Sequence, residues 1–203
     1  MKKIFFLLLT LAVKAFAHPH SWIEVDTHIH GSRNEIQGLY MVWEFDAMTS
    51  AYMLDGEDLS KPETLKNLAH DVINNMLNHH YFTYFYQGDQ PIKYRVAVDP
   101  VMTFKRGKIT LNFDLPLSKP IPANTENLKL LIFDPSYFVD MSWITTHSIG
   151  FHGGLDCELE LLKPNPTPAQ MAYAMALPID ADPDDQLGQL FTETLYFECT
   201  TDE

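Results

Sequence analysis

Residues 21 to 46 read SWIEVDTHIHGSRNEIQGLYMVWEFD, and their pattern sets the architecture of the chain. Ile23, Val25, Thr27 and Ile29 occupy every second position of the first half, and apolar residues do so again from Leu39 to Phe45. A period of two is typical of half-buried β-strands, and the GSRN segment between the two halves indicates a turn. The stretch therefore predicts a β-hairpin with one apolar face and one polar face.

The polar face of the first predicted strand carries carboxylates and histidines, so the pairing register of the hairpin matters. The apolar residues of both strands have odd numbers, and paired residue numbers must therefore have an even sum. The simplest sum, 66, pairs His30 with Ile36 across a five-residue loop. It places His20 opposite Asp46, with Glu44 one row further in, and a slip of two would exchange the two carboxylates.

Patterns further along the chain predict one main helix and several more strands. Apolar residues at helical spacing follow Ser60 and Glu63, which have the spacing of a capping box, and predict an amphipathic helix over 61–78. Short helices are predicted over 168–176 and 183–192. The segments that predict strands are YFTYFYQG, IKYRVAVDPVMTFKRG, KITLNFDLPL, LKLLIF, FVDMSWI, CELELL and TLYFECT. The predicted fold is α+β and β-rich, with antiparallel, sandwich-like sheets and one main amphipathic helix.

The first 17 residues, MKKIFFLLLTLAVKAFA, have the pattern of a secretory signal peptide. A basic start, an apolar run of ten residues and an A-x-A box at Ala15 and Ala17 follow one another. The apolar run is shorter than the roughly 20 residues that span a bilayer. We therefore expect cleavage after Ala17 and a periplasmic domain over 18–203, with a possible subdivision near 88–92.

The charge of the chain excludes some partners and favours others. The chain holds 14 basic and 27 acidic side chains, and cleavage would remove Lys2, Lys3 and Lys14, leaving 11 basic residues and a net charge of −16. A surface this acidic repels nucleic acid and anionic lipid and attracts cations. No nucleotide-binding loop, zinc-protease motif or serine-hydrolase motif occurs in the sequence. Cation binding is therefore favoured over catalysis.

The chain has two cysteines, Cys157 and Cys199. A pair of cysteines in an exported protein typically forms a disulfide, because the compartment is oxidising. The alternative is a pair of thiolate metal ligands, which the absence of a CxxC spacing disfavours. We expect a disulfide near the C-terminus.

Cleavage after Ala17 would leave His18 with a free α-amine, followed by Pro19 and His20. The amine and one ring nitrogen of His18 can chelate one ion, and His20 lies on the same face of an extended chain. Pro19 has no N–H, which prevents copper binding through deprotonated backbone amides. The remaining ligands suit zinc, and nickel, cobalt or copper also fit.

Further ligands are sought among residues that the hairpin and the later loops bring near the amino terminus. Glu44 and Asp46 can supply oxygen from the partner strand, and His147 in THSIGFHGG, which is predicted to be a glycine-bearing loop, is a possible fourth ligand. The predicted metal ligands are thus His18, His20, Glu44, Asp46 and His147. His152 of the same segment is a weaker candidate. His28 and His30, with Asp26, are either a weak second site or ordinary exposed polar residues.

Several segments resemble one family. They are AHPHSWIEV at the cleavage point, VWEFD at 42–46, LSKPE, FDPSYFVD at 133–140 and the late LGQLF with FEC. Together they cover nearly the whole mature chain and are similar to the ZevA-like family of periplasmic proteins. The resemblance implies a zinc-binding accessory protein that works with an inner-membrane permease of the nickel/cobalt-exporter type. The calcium-like loop usual in that family is shortened here at 55–60.

Three functions follow from these observations. The leading one is a periplasmic transition-metal binding protein, not an enzyme, that captures or delivers zinc or a similar ion to a membrane permease. The second is a copper-dependent oxidase or oxygenase that holds its metal through the amino-terminal histidine. The third is a metal-free periplasmic adaptor that docks on a membrane partner.

Overall fold

The computed structural model describes residues 19–178 and 186–201. The predicted signal peptide and the predicted ligand His18 lie outside these ranges. The strands are β1 Ser21–Ser32, β2 Glu35–Phe45, β3 Thr83–Gln87, β4 Gln90–Pro91, β5 Val98–Lys105, β6 Lys108–Pro122, β7 Leu128–Ile132, β8 Val139–Ser142, β9 Ile149–His152, β10 Asp156–Leu162 and β11 Thr194–Thr200. The helices are α1 Ala47–Met53, α2 Thr64–Met76, α3 Pro168–Ala176 and α4 Leu187–Leu190.

The strands form two sheets. The first sheet has the order β5-β6-β2-β1-β8, and β9 also pairs with β1, further along the strand. The second sheet has the order β10-β11-β7-β3-β4. Neighbouring strands are antiparallel, except that β8 and β9 both run parallel to β1. The prediction of a β-rich α+β fold with antiparallel sheets is confirmed.

One apolar core contains residues of both sheets and of α2. From the first sheet, Trp43 and Phe113 are fully buried and meet edge to face, with ring centroids 5.1 Å apart. From the second sheet, Phe197 packs 5.5 Å from Phe151 of β9, so that the two sheets meet through aromatic side chains. Ala69 and Ile73 of α2 complete the core from one side. The polar face of β1 is therefore left open, away from this core.

The register of the hairpin differs from the predicted one. The numbers of paired residues sum to 68 in every pair from Ile23–Phe45 to His30–Gly38, and the next pair is Gly31–Ile36. The jump skips Gln37, which is the extra residue of a β-bulge. The prediction that paired residue numbers have an even sum is confirmed, because the apolar side chains of both strands must share one face. The predicted pairing of His30 with Ile36 is wrong.

The helix predictions are partly confirmed. The capping box predicted at Ser60 is wrong, because the Ser60 hydroxyl donates to Asp58 Oδ1 at 2.7 Å and α2 begins only at Thr64. The short helix predicted over 168–176 is confirmed as α3. That predicted over 183–192 corresponds to the four residues of α4, with 183–185 outside the described residues. Helix α1, directly after β2, was not predicted.

The predicted disulfide is confirmed. Cys157 on β10 lies directly opposite Cys199 on β11, with a Cα–Cα distance of 3.9 Å. The two cysteines are 42 residues apart in the sequence, and on the chain-entropy model closing a loop of that length stabilises the fold by about 4 kcal/mol.

Among the helices in the described ranges, none is both long and apolar enough to cross a membrane.

Candidate functional site

The open face of β1 carries the candidate ligands in a row. Buried and accessible residues alternate along the strand, and the even-numbered side chains point away from the core. Neighbours on both sides extend this face, with β2 antiparallel on one side and β8 and β9 parallel on the other. We name its two ends the amino-terminal end, around His20 and Asp140, and the hairpin end, around His28 and His152.

At the amino-terminal end, His20 is fixed against β8. Its backbone N–H donates to the carbonyl of Phe138 at 2.9 Å, and the two rings lie 4.7 Å apart. The next row of the ladder pairs Trp22 with Asp140. Asp140 therefore shares the open face with His20, one row further along. Cα atoms in this relation are about 8 Å apart, roughly 6.6 Å along the strands and 4.8 Å across.

Asp140 carries a charge that its surroundings do not neutralise. Partial burial raises the pKa of this carboxyl group, and the negative charge of Glu193 raises it further. Burial, with Asp140 adding its own charge, raises the pKa of the Tyr137 hydroxyl to about 12. Lys163 pairs with Glu193 instead, and among the described residues no basic side chain forms an ion pair with Asp140. A cation close to Asp140 would relieve this repulsion.

Asp46, a predicted ligand, is engaged in capping. The observed register places it opposite Trp22 rather than opposite His20, and Trp22 donates its backbone N–H to Oδ2 at 3.0 Å. Oδ1 accepts the backbone N–H groups of Met48 and Thr49, which makes Asp46 the N-cap of α1. Partial burial opposes ionisation, yet the hydrogen bonds from Thr49, Trp22 and Met48 outweigh it and lower the pKa of Asp46.

Glu44 and His147, the other predicted ligands, lie further from His20. Glu44 pairs with Glu24 across the hairpin and accepts a hydrogen bond from Lys108 Nζ at 2.6 Å, which raises the pKa of Lys108. His147 is exposed in a short 3-10 turn just before β9, whose first residue pairs with Thr27. His147 thus lies near the level of Val25, about 16 Å from His20 along β1.

At the hairpin end, two imidazoles face each other. The segment that holds His152 was predicted to be a loop, and that prediction is wrong, because residues 149–152 form β9 and pair with β1. His28 Nδ1 and His152 Nε2 are 3.0 Å apart, and the ring centroids are 5.0 Å apart. His30 lies directly opposite His152 in the ladder, and its Nε2 is 2.7 Å from Asp114 Oδ1.

Two glycines create the space in which these histidines meet their partners. A Cβ atom on Gly150 would lie 2.7 Å from His28 Nδ1 and 3.1 Å from His152 Nε2. A Cβ atom on Gly38 would lie 2.7 Å from His30 Nε2. In both cases a histidine reaches diagonally across the ladder, over a position that has no side chain.

The surroundings of His28 favour its neutral form. Burial lowers the pKa of His28, the nearby His152 lowers it further, and Asp26 acts weakly in the opposite direction. A neutral imidazole has a lone pair available for a metal ion. Within 19–178 and 186–201, however, no three side chains of the His, Cys, Asp or Glu types already converge on one point.

Three features of this face were not predicted from the sequence, namely Asp140, Asp114 and the pairing of His152 with His28. The alternation in FVDMS, which sets Phe138 and Asp140 on one face, was a usable signal for the first. No comparable signal existed for His152, because β9 has only four residues and contains a glycine.

The fold and this face define the class: a β-rich, two-sheet protein whose central hairpin carries imidazoles and carboxylates on its open side. The sequence model of a family described as "Protein of unknown function (DUF1007)" matches residues 3–199, and the chain belongs to this family. A protein of Haemophilus influenzae, described as "Uncharacterized protein", is 28% identical over 204 residues, which cover 97% of this chain and 99% of that protein.

Proposed function

We propose that this protein binds a divalent transition metal ion in the periplasm and passes it to an inner-membrane permease of the nickel/cobalt-exporter type. Zinc is the leading cargo, and nickel, cobalt and copper are accepted by the same ligands. The amino-terminal end is the primary site. His18, with its free amine after cleavage, and His20 supply nitrogen, and Asp140 supplies oxygen.

One observation carries the proposal: Asp140 lies on the open face one row from His20. His18, the other proposed nitrogen donor, is only two residues before His20 in the sequence. A carboxylate that is partly desolvated and has a carboxylate neighbour is costly to keep ionised. A bound divalent cation would remove that cost. The same arrangement would supply a third donor to the two-histidine end.

Asp140 is a better oxygen donor here than Asp46 or Glu44. Both carboxylate oxygens of Asp46 already accept hydrogen bonds from the start of α1 and from Trp22. Glu44 is neutralised by Lys108. Their charges still contribute to the negative field of this face, which attracts cations from a distance.

The role of a carrier is supported by the make-up of the site and by resemblance. The donors are few, and the residues His20 and Asp140 are each partly exposed. Few donors favour exchange of the ion with a second protein. The segments similar to the ZevA-like family support zinc as the cargo and a permease as the acceptor.

The test is a zinc titration of the exported, untagged protein, with native mass spectrometry to report its first residue and any bound ion. In the His18→Gln, His20→Gln double variant we expect zinc affinity at the primary site to fall by about 100-fold or more. His70→Gln is the matched control, because His70 is an exposed histidine on α2.

Unchanged zinc affinity in the double variant would refute the assignment. A first residue other than His18 would remove the amine from the site. Steady turnover of oxygen or peroxide by the copper-loaded protein with a reductant would favour an enzyme instead. A stable complex with a membrane partner and no bound metal would favour an adaptor.

A further inference from the structure

We infer that His28 and His152 form a second transition-metal site, separate from the amino-terminal one. It lies at the opposite end of β1, about 26 Å from His20 along the strand. Its ligands are side chains of β1 and β9, so that it does not depend on signal cleavage or on a free amine.

The distance between the two ring nitrogens fits a shared ion. Nitrogen ligands lie about 2.0–2.1 Å from zinc, so two of them on one ion are roughly 2.9–3.4 Å apart for angles between 90° and tetrahedral. His28 Nδ1 and His152 Nε2 are 3.0 Å apart. The separation of the two nitrogens thus lies within the range that a shared ion requires.

Without metal, this distance is that of a hydrogen bond in which one ring donates N–H to the other. Binding an ion requires both facing nitrogens to present lone pairs. The proton between them is then carried by the far nitrogen of the same ring, a change of tautomer that releases no proton and leaves both rings neutral. The metal replaces one N–H bridge between the rings by two metal–nitrogen bonds.

The surroundings favour a cation and leave it accessible. His152 is exposed and His28 is partly exposed. Asp26 lies two residues before His28 on the same face and contributes negative charge. Gly150 keeps open the gap between the rings, since any larger residue would place a Cβ atom against both nitrogens.

His30 is the neighbouring imidazole that could extend the site. It pairs with His152 in the ladder, and Asp114 accepts the N–H of its Nε2. That hydrogen bond leaves Nδ1 as the acceptor of the ring, which is the arrangement common for histidines that bind metals. Two fixed imidazoles and open positions for water define an exchangeable site for zinc, copper, nickel or cobalt, rather than for calcium or magnesium.

The experiment is equilibrium dialysis of the full mature chain against zinc, with ring ¹⁵N NMR of the histidines. We expect wild-type protein to bind two zinc ions, and the His28→Gln, His152→Gln double variant to bind one. Zinc should shift the ring signals of His28 and His152 together. His70→Gln should still bind two ions, and far-UV circular dichroism with a melting curve checks that each variant is folded.

A second variant separates this inference from the proposed function. The His18→Gln, His20→Gln protein should keep one zinc ion, on His28 and His152. If that protein binds none, and zinc leaves the ring signals of His28 and His152 unchanged in the wild type, the second site does not exist. If instead His28→Gln, His152→Gln removes all bound zinc, the hairpin end stands and the amino-terminal site falls. Gly150→Ala, which leaves both histidines in place, should lower zinc affinity at the hairpin end about tenfold.

Discussion

The two ends of the open face of β1 hold similar residue types in different arrangements. At the amino-terminal end an acid, Asp140, lies near His20 and has another acid, Glu193, as its electrostatic neighbour. At the hairpin end the imidazole of His28 faces that of His152, and Asp114 takes a hydrogen bond from His30. The first end therefore sets an acid beside an acid, and the second sets an imidazole beside an imidazole and another imidazole beside an acid.

The two ends depend on their surroundings in different ways. The amino-terminal end becomes a complete donor set only with the residue before the described chain. The ligands proposed at the hairpin end all lie within one sheet, because Gly38 and Gly150 let histidines cross the ladder. We therefore expect strong, cleavage-dependent binding at the first end and weaker, exchangeable binding at the second.

The largest predicted change in stability concerns the glycines of the hairpin end. A Cβ atom on Gly31 would lie 1.9 Å from the backbone oxygen of Glu35, so that Gly31→Ala must move the bulge. We expect it to lower the free energy of unfolding by about 2–3 kcal/mol. A Cβ atom on Gly150 would meet only imidazole ring atoms of His28 and His152, which can move away, and for Gly150→Ala we expect a loss of no more than about 1 kcal/mol.

Urea unfolding of the two variants, followed by far-UV circular dichroism, measures both values. Equal losses would mean that Gly150, like Gly31, is needed for the backbone rather than for the space between His28 and His152. The proposal that Gly150 provides space for an ion between His28 and His152 would then be wrong.

The sequence predicted the strands of the hairpin well and its register poorly. The face of each side chain follows from the period of two, which Ile23, Val25 and Trp43 display in plain view. The register depends on the bulge at Gln37, and this in turn depends on the close approach of Gly31 to Glu35. Such a contact involves backbone atoms only and leaves no pattern in the sequence.

The candidate site was predictable only where neighbours in sequence are neighbours in space. His18 and His20 were proposed as ligands in this way. Asp140 and His152 reach the face of β1 through parallel pairing of β8 and β9, after more than a hundred intervening residues. Asp46 was interpreted as a ligand, although an Asp followed three residues later by Thr49 also fits a helix cap, which is its observed role.

The next prediction tests the contrast between Asp46 and Asp140. Asp46→Ala removes the N-cap of α1 and the acceptor for Trp22 N–H, and we expect it to cost about 1 kcal/mol of stability. Zinc affinity should change by less than about twofold, because its oxygens are engaged in hydrogen bonds. Urea unfolding and zinc titration of the same sample measure both, and a tenfold loss of affinity would restore Asp46 as a ligand.

The pH dependence of this cap has a definite sign. The folded pKa of Asp46 is lower than its ordinary value of 3.8, so that the folded protein binds fewer protons than the unfolded chain just below that pH. The stabilisation is present above about pH 3.8 and is lost as pH falls through the folded pKa. Asp46→Ala should therefore flatten the acid limb of the stability curve.

Asp140→Asn is expected to have the opposite effect on stability. The raised pKa of Asp140 means that its ionised form costs more free energy in the folded protein than in the unfolded chain. The neutral amide should raise the stability of the metal-free protein by about 0.5 kcal/mol, or roughly 1–2 °C in Tm. Zinc affinity should fall about tenfold, and a variant that is both less stable and unchanged in affinity would remove Asp140 from the site.

The smallest predicted effect is a change in the titration of one imidazole at the hairpin end. Burial lowers the pKa of His28 most, and His152 lowers it less. In His152→Gln the pKa of His28 should therefore rise only part of the way toward 6.5, whereas in Asp26→Asn it should fall further. NMR titration of the His28 ring measures both shifts.

The sign for stability follows from the same pKa. The pKa of His28 is lower in the folded protein than in the unfolded chain. The stability that this shift contributes is therefore present above pH 6.5 and is lost as pH falls through the folded pKa. A full return to 6.5 in His152→Gln would mean that the second imidazole, not burial, dominates. No change at all would mean that the two rings do not face each other, and the hairpin end would then hold one histidine beside a gap rather than a pair.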